Sequence, residues 1–483
     1  MGIRYRKMRK IHALLYTVAF LTTTATALTS CNTDYNPTDA IANTTLTEND
    51  YDKLLTGIYD GLQGFSMAFE PVIDDVSADN LDNVGWFPNT DNNTLTGSSY
   101  YVNNIWEQLY YRVQLANNLI NLEEAKDKQS DEDRQIEAQA RAMRAWFYER
   151  LCMFYGDVPL LTTSEADNAP RTKEALVWSF AKRDLEYAAK YAPDFSSSTY
   201  ISKQAAKALL ARTCLLAPDT VQDLPKAASL AEEVIADSNF ELADDAAKIW
   251  QTKTSKEMIF ATVNPSTDAW CPGWFLRSNL VDELQAAGVN TGYGAQGRYM
   301  FPVDNALMND FEPGDNRKAA TVRTLTNGTT TTRDLVKYPG PNGVDPYPIV
   351  RIAEMYLIAA EAEGRENGLK WLNALRASRG LKALTAADIT DDDAYEARIM
   401  QERRVEFVGE GLRWYDLRRW FNRNAAGRKA VLQLRCYQAG ETAGSRPKAS
   451  DAMNISEDGH ELLWPVPTVA RDNDSALDQN PGY

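Results

Sequence analysis

Two stretches of the chain combine aromatic rings with amide and acidic side chains, and this combination is suited to binding sugars. A sugar presents apolar C–H faces that stack on rings, while its hydroxyl groups form hydrogen bonds with amides, carboxylates and guanidinium groups. The first stretch is Asp74–Tyr100 and the second is Asn264–Pro348. For any single ring, the alternative is that it pins its own loop to the body of the protein. The candidate ligand-binding residues are Asn83, Trp86, Asn89, Trp270, Trp274, Tyr293 and Arg298.

Patterns typical of catalysis or of cofactor binding are weak in this sequence. After the N-terminal leader, His460 is the one histidine, which removes most zinc sites and the Ser–His and Cys–His nucleophiles. Residues Gly292–Gly297 match G-x-G-x-x-G without the preceding strand and following helix that a phosphate loop needs. Asp79–Gly85 has the oxygen density of a calcium loop but not its ligand register. We predict no metal or other cofactor. No pair of acids stands out as a glycosidase pair, so catalysis is unsupported rather than excluded.

The densest mixture of rings and charges is Phe407–Trp420, with the sequence FVGEGLRWYDLRRW. Trp414, Leu417 and either Trp420 or Phe421 recur at helical spacing, which predicts a stripe that faces the core. We therefore interpret the stretch as structural rather than as a binding site. Charges of both signs on a preceding helix are predicted to pair with it: Glu402, Arg403, Arg404 and Glu406 with Arg413, Asp416, Arg418 and Arg419.

The N-terminus has the pattern of a secretory leader. Met1–Lys10 carries five cations and no acid, and a short apolar run with small residues follows. The apolar run is too short and too rich in threonine for a membrane-spanning helix. The leader ends in L-T-S-C, which resembles a bacterial lipobox whose cysteine becomes lipidated. An acylated Cys31 would anchor the protein to a membrane surface.

The net charge argues against nucleic acid and anionic lipid surfaces as partners. It is −16 for the whole chain and becomes −21 without residues 1–30, because the leader removes five cations and no acid. The cysteines that remain beside Cys31 are too widely spaced for a C-x-x-C metal or redox motif. We predict that they are buried free thiols: Cys152, Cys214, Cys271 and Cys436.

Helical periodicity dominates the elements that must position these side chains. Paired helices with alanines at their crossings predict a mainly α fold, in which tetratricopeptide-like pairs form an α-superhelical body with long irregular loop regions. The predicted helices are 51–62, 103–122, one that begins after the N-cap Ser130, Lys173–Tyr191, Ser202–Leu216, Pro225–Asp237, Ile349–Ala362, Glu366–Ala377, Asp391–Val408 and Trp414–Phe421.

Several motifs in order resemble the SusD/RagB family of outer-membrane lipoproteins from Bacteroidetes nutrient-uptake systems. The resemblance spans essentially the whole chain after the leader. It begins with LTSC and the helix around TGIYDGLQ. Ser378 departs from the family pattern, which commonly has a second arginine there. The most specific matches are PIVRIAEMYLIAAEA, WLNALRASRGL, ERRVEFVGEGLRWYDLRRW and LLWPVPTVARDNDSALDQNPGY.

The resemblance implies a cell-surface protein that lacks catalytic activity. Such proteins are lipid-anchored to the outer membrane, bind glycans through loop residues and cap a SusC-like TonB-dependent transporter that imports them. The implied organisation is a signal peptide (residues 1–30), a lipidated tether (31–49) and one SusD-like domain (50–483). Within that domain we distinguish a helical part (50–263), a loop-rich insert (264–348) and a signature part (349–483).

Three further functions remain open from the sequence. The same architecture would serve for capturing peptides. The sequence is also compatible with a secreted glycosidase and with a scaffold that binds no ligand. It names neither the sugar nor the contacts, because the loop residues that touch ligand vary between members of such a family.

Overall fold

The protein is described here by a computed structural model that covers residues 50–82, 89–90, 93–163, 168–251, 255–262, 272–276, 301–327, 330–339, 345–434 and 455–483. The chain divides into two compact units at Tyr51, and the second unit, Asp52–Tyr483, forms the body of the protein. The described part is mainly helical, as predicted. None of its helices has the length and apolar character needed to cross a membrane.

Seven helices build the N-terminal part of this body. Their starts obey simple capping rules: the Ser130 hydroxyl accepts from the backbone N–H of Asp133, and Ser202 and Asp223 accept in the same way. Consecutive helices from α3 to α7 pack on one another, and α7 packs on a later helix, Ile352–Ser378. In chain order, α1 to α7 are Tyr51–Asp60, Phe65–Ser77, Tyr100–Glu124, Asp131–Tyr155, Glu174–Tyr191, Lys203–Leu216 and Leu224–Ile235.

Small side chains allow these helices to approach closely. Fully buried alanines are concentrated on α4 and α6, as the sequence pattern predicts. Two of the four cysteines lie in the same layers. Cys152 and Cys214 are free, buried thiols, which confirms that prediction for both, while Cys271 and Cys436 lie outside the described residues. The buried alanines are Ala138, Ala140, Ala142 and Ala145 of α4 with Ala205, Ala206, Ala208 and Ala211 of α6.

The remaining helices are short, apart from Ile352–Ser378 and Asp392–Phe407. The helix α12 has a kink at Gly364, where φ is 69°. This kink separates the two helices that the sequence predicts there. In chain order the elements are α8 Ala246–Gln251, α9 Gly273–Leu276, α10 Asn305–Asp310, α11 Arg317–Thr321, α12 Ile352–Ser378, α13 Asp392–Phe407, α14 Arg413–Arg423, α15 Ala425–Leu432 and α16 Thr468–Asn473.

The described residues also form two small antiparallel sheets, each with two strands. In the first, β1 (Met258–Ala261) pairs with β4 (Pro348–Arg351), and all four residues of each strand are buried. The second is a hairpin of β2 (Val322–Asn327) and β3 (Thr330–Leu335). The predicted helix Ile349–Ala362 is therefore wrong at its start. Pro348 and two β-branched residues after it favour an extended strand, and the helix begins only at Ile352.

Both stretches predicted to be irregular are partly regular. Helix α2 runs to Ser77 and so enters the first stretch, although Pro71 lies inside it. The second stretch contains α9, α10, α11 and the β2–β3 hairpin within its described residues. The pattern of apolar residues does not predict the whole of helix α2, because acidic residues lie on its buried side. Asp74 accepts from the backbone N–H of Trp414 (3.0 Å), and Asp75 accepts from that of Gly409 (2.6 Å).

The aromatic stripe of α14 faces the core, as predicted. Trp414 and Leu417 are fully buried and Phe421 is 2% exposed, so Phe421 rather than Trp420 completes the stripe. The turn before this helix uses Gly409 (φ 80°) and Gly411 (φ 69°), and an added Cβ at Gly409 would lie 2.3 Å from Leu335.

The predicted charge pairing of this stretch is right for one pair and wrong for most of the rest. Arg403 of α13 donates to Asp416 of α14 at 2.7 Å, as expected for neighbouring helices. The other cations reach distant parts of the chain, which sequence spacing does not reveal. Arg404 and Arg413 pair with Asp79, Arg418 with Glu174, and Arg419 with Glu361 as well as Asp416.

Candidate functional site

The two stretches predicted to bind ligand are held together at their bases. Leu81 of the first stretch forms an isolated antiparallel bridge with Val303 of the second. Two backbone hydrogen bonds flank the bridge: Asp82 N–H to Pro302 O (2.8 Å) and Asp304 N–H to Asn80 O (2.9 Å). The chain just before residues 83–88 and the chain just after residues 277–300 are thus brought to one place.

Helix α2 is the platform beneath this junction. Phe69, which is 2% exposed, contacts Phe275 of α9 in an edge-to-face arrangement with centroids 5.1 Å apart. The same ring lies 6.0 Å from that of Phe301, the first described residue after the gap. One buried ring therefore fixes both α9, which carries Trp274, and the start of the segment that bridges to Leu81.

Buried ion pairs make the junction rigid. Asp79 accepts from Arg413 at 2.7 and 3.0 Å, and a nitrogen of Arg404 lies 3.1 Å from the same carboxylate. Burial alone would raise the pKa of Asp79, but the charges of Arg404 and Arg413 lower it to about 2. Both guanidinium groups therefore form ion pairs with the first carboxylate of the calcium-like stretch Asp79–Gly85. Asp79 is thus a structural ion-pair partner rather than a cation ligand.

Two neighbouring acids, Asp82 of the first stretch and Asp304 of the second, lie at the junction, and the sequence analysis did not predict them as a pair. Asp304 caps α10 by accepting from the backbone N–H of Ala306 (2.6 Å). Burial, together with the neighbouring charge of Asp82, raises the pKa of Asp304 well above its ordinary value. The proximity of the two carboxyl groups follows from the Leu81–Val303 bridge, which no local pattern predicts. In the sequence, the signal that could have pointed to Asp304 was its position as a candidate N-cap residue directly before α10.

Of the predicted ligand-binding residues, the structure describes Asn89 fully and Trp274 only as backbone. Asn89 is exposed and has φ of 72°, a left-handed conformation that asparagine tolerates well. Its carbonyl accepts from Thr94 N–H (3.1 Å), and the following turn is fixed by Asn93, whose amide donates to Ser77 O (2.8 Å). The other predicted residues lie outside the described ones: Cys31, Asn83, Trp86, Trp270, Tyr293 and Arg298.

One group of side chains elsewhere has atoms close enough to share a metal ion. Asp458, His460 and Glu461 lie near the C-terminus, in the last described segment. Both ring nitrogens of His460 are already engaged, with Asp458 at 2.9 Å and Glu461 at 3.3 Å, and Ser456 bonds to all three residues. These internal bonds account for the group without an ion.

Two protein-family models match the chain in adjacent parts. The model for the SusD family matches residues 290–483. A second model, described as "Starch-binding associating with outer membrane", matches residues 33–215. Proteins of this kind are associated with the outer membrane. Together the two models reach both loop stretches and all the signature motifs.

Individual proteins agree with these models. SusD-like protein P2 of Formosa agariphila is 26% identical over 444 residues, which cover 81% of this chain and 83% of that protein. A SusD superfamily protein from Bacteroides vulgatus has the same fold, with a TM-score of 0.73 at 22% identity, covering 90% of this chain and 99% of its own. A structure solved with a xylogluco-oligosaccharide has a TM-score of 0.69 at 20% identity, with 88% and 97% covered.

The family models and the related sequences along the chain lead to the same assignment, and the solved structures share its fold. The first three of the most specific motifs contribute residues to the buried parts of the body, where they pack and pair, whereas the C-terminal motif is largely exposed from Thr468 onward. The chain belongs to the SusD/RagB family.

Proposed function

We propose that this protein captures oligosaccharides at the outer surface of the cell and passes them to a SusC-like TonB-dependent transporter. The observation that carries the proposal is the junction of the two loop stretches at Leu81 and Val303. It gives two segments rich in rings and amides a common, rigid base. A site built on a fixed base loses little entropy when a ligand binds, which suits capture of a dilute sugar.

The ligand class is supported by the chemistry of the loops and by the comparisons. A related fold has been solved with a xylogluco-oligosaccharide, and one matching family model carries a starch-binding description. In this chain, Trp86, Trp270 and Trp274 supply rings that would stack on sugar faces, and Asn89 supplies an exposed amide. Tyr293, Asn83 and Arg298 complete the proposed binding set. The proposed function includes no catalysis, because the protein would only bind the glycan and transfer it.

Replacing the three tryptophans together is expected to abolish most binding at the loops. Isothermal titration with panels of neutral oligosaccharides and of peptides would first identify a ligand of the wild-type protein. For that ligand, Trp86→Ala/Trp270→Ala/Trp274→Ala should lower the affinity of the loop site about 100-fold or more, because buried aromatic contacts dominate binding energy.

A matched control separates binding from folding. Trp371→Ala removes a partly exposed tryptophan that packs on Tyr356, with centroids 5.9 Å apart, and should leave affinity unchanged. Binding of peptides but of no glycan in the panel would contradict the proposed ligand class. Co-purification of the triple variant with the transporter is expected to persist, because transporter contact and ligand contact are separate functions.

Lipidation of Cys31 is expected to hold the protein at the membrane. Cys31→Ser should move it from the membrane fraction to the soluble fraction and abolish incorporation of labelled palmitate, because the thiol is the site of acylation. Cys436→Ser, which changes a cysteine far from the leader, serves as the control and should leave both unchanged. Continued labelling of the Cys31→Ser variant would show that another residue carries the lipid.

A further inference from the structure

Helix α3 leaves an aromatic and amide-rich face uncovered. The described residues leave six large apolar side chains markedly exposed, and two of these, Tyr111 (55%) and Val469 (60%), line one cleft. A third, Tyr100 (63%), lies on the same side of α3, since eleven residues make close to three helical turns. Exposed apolar groups gathered at one place indicate a binding surface more often than scattered ones do.

The cleft runs between α3, α16 and the segment that follows α4. It encloses about 790 Å³, which is within the range of pockets that bind small molecules. Helix α16 is held beside α3 by a hydrogen bond from Thr468 N–H to Gly97 O (2.8 Å), and Asn103 Nδ2 donates to the same carbonyl (2.8 Å). The C-terminal segment thereby forms one wall of the cleft, and none of the predicted loop residues lines it.

The floor of the cleft is fixed by internal contacts. Trp106 packs edge-to-face on Tyr155 and lies against Tyr110, with both centroid distances 4.9 Å. The Tyr110 hydroxyl donates to Pro159 O (2.8 Å). The amide of Asn117 donates to Leu161 O (2.9 Å) and accepts from a buried arginine. A ligand would meet this surface without having to order it first.

The rim offers a ring, amide groups and one carboxylate. The Tyr111 ring is 55% exposed, and it is flanked along α3 by Glu107 and Gln114, which are also exposed. Asn473 faces them from α16 and is also exposed. The described lining contains no lysine, arginine or histidine, and Glu107 is its one acid. A ring beside amides, with no cation, fits an uncharged polyhydroxyl ligand better than a phosphate, a sulfate or an acidic peptide.

We propose that this α3–α16 cleft is a second carbohydrate-binding site, which takes neutral oligosaccharides with a sugar ring stacked on Tyr111. The choice of carbohydrate as ligand class rests on the proposed function, whereas the position of the site rests on the exposed rings and amides alone. The site is weaker than the loop site because one ring, rather than several, is available for stacking. It would hold a second portion of a polymeric glycan or a second chain.

The test uses the mature protein and a neutral oligosaccharide, with xylogluco-, manno- and malto-oligosaccharides titrated in turn. For the one that binds, calorimetry of the wild type should show two classes of site. The loop variant Trp86→Ala/Trp270→Ala/Trp274→Ala should retain the weaker class. Adding Tyr111→Ala and Gln114→Ala to that variant should lower the remaining affinity about tenfold or more. Adding Tyr200→Ala instead, a tyrosine that is also 55% exposed but lies elsewhere, should leave it unchanged.

The outcomes distinguish this proposal from the proposed function. Two site classes with selective loss in the Tyr111 variant support the cleft. Complete loss of binding in the loop variant, or residual binding that ignores Tyr111, overturns the cleft and leaves glycan capture intact. Absence of binding by the wild type to every oligosaccharide overturns both. Binding of peptides by the loop variant, abolished by Tyr111→Ala, would make the cleft a peptide site and so overturn the carbohydrate assignment.

Discussion

Replacing Arg351 by methionine is expected to lower the free energy of unfolding by about 3–5 kcal/mol, because the change leaves buried carboxylates with too few cations. Arg351 is 1% exposed at its side chain and donates to Glu257 (3.0 Å), Glu406 (2.6 Å) and Glu410 (2.8 Å). Burial would lower the pKa of its guanidinium, but Glu410 and Glu406 raise it well above its ordinary value. The charged form is therefore the form that the folded protein requires.

The control for this prediction is the same substitution at the surface. Arg365 pairs with Asp392 at 3.1 Å, but the side chains are 34% and 92% exposed. Arg365→Met should therefore cost no more than about 1 kcal/mol. Chemical denaturation followed by circular dichroism would compare the two variants with the wild type. Equal midpoint shifts for Arg351→Met and Arg365→Met would show that the buried network contributes little.

This network explains why the signature motifs occur together in one chain. Arg351 comes from the first motif, Arg379 from the second, and Glu406 and Glu410 from the third. Arg379 is fully buried and reaches Glu257 (2.9 Å) and Glu406 (2.8 Å). It immediately follows Ser378, the position at which this chain departs from the family pattern. These motif residues therefore stabilise the fold. They indicate the family of the protein but not the ligand that it binds.

The second large effect is expected at Gly368, where a methyl group has no room. A Cβ at this position would lie 2.0 Å from the carbonyl oxygen of Ala360 and 2.7 Å from the hydroxyl of Tyr395. That hydroxyl itself donates to Ala360 O (2.9 Å), so the kinked helix α12 and α13 meet tightly here. Because the obstructing atom belongs to the backbone, Gly368→Ala should destabilise the protein by about 3 kcal/mol or more.

A helical glycine with open surroundings provides the comparison. Gly57 lies in α1, is exposed, and an added Cβ would meet no heavy atom within 4 Å. Gly57→Ala should be neutral or stabilising by up to about 1 kcal/mol, because alanine is the better helix former. Thermal unfolding of the two variants would compare them directly. A melting temperature for Gly368→Ala equal to that of the wild type would contradict the close approach of α12 and α13.

Local rules account for most of the helical body. N-cap residues such as Ser130, Ser202 and Asp391 mark helix starts correctly, because each satisfies backbone N–H groups within its own turn. The local rules did not predict helix α2 and strand β4, because contacts with distant parts of the chain determine both elements. Asp74 and Asp75 of α2 find partners in α14 and its preceding turn, Glu70 pairs with Arg150 of α4, and β4 becomes a strand by pairing with β1.

For the candidate site too, the sequence shows the composition of each stretch but not the contacts between segments that lie far apart in the chain. The sequence indicates which stretches combine rings with amides, the combination from which we predict sugar binding. It does not indicate that Leu81 meets Val303, because the pairing joins segments separated by more than two hundred positions. The cleft on α3 was missed for a related reason: its wall comes from α16, near the other end of the chain.

The proposed function requires that the two stretches joined at Leu81 and Val303 hold one glycan between them. A crystal structure of the mature protein with a neutral oligosaccharide selected by titration tests it most directly. We expect sugar density in contact with residues of both stretches, including at least one ring among Trp86, Trp270 and Trp274. Density that touches neither stretch, in a crystal where both are accessible, would contradict it.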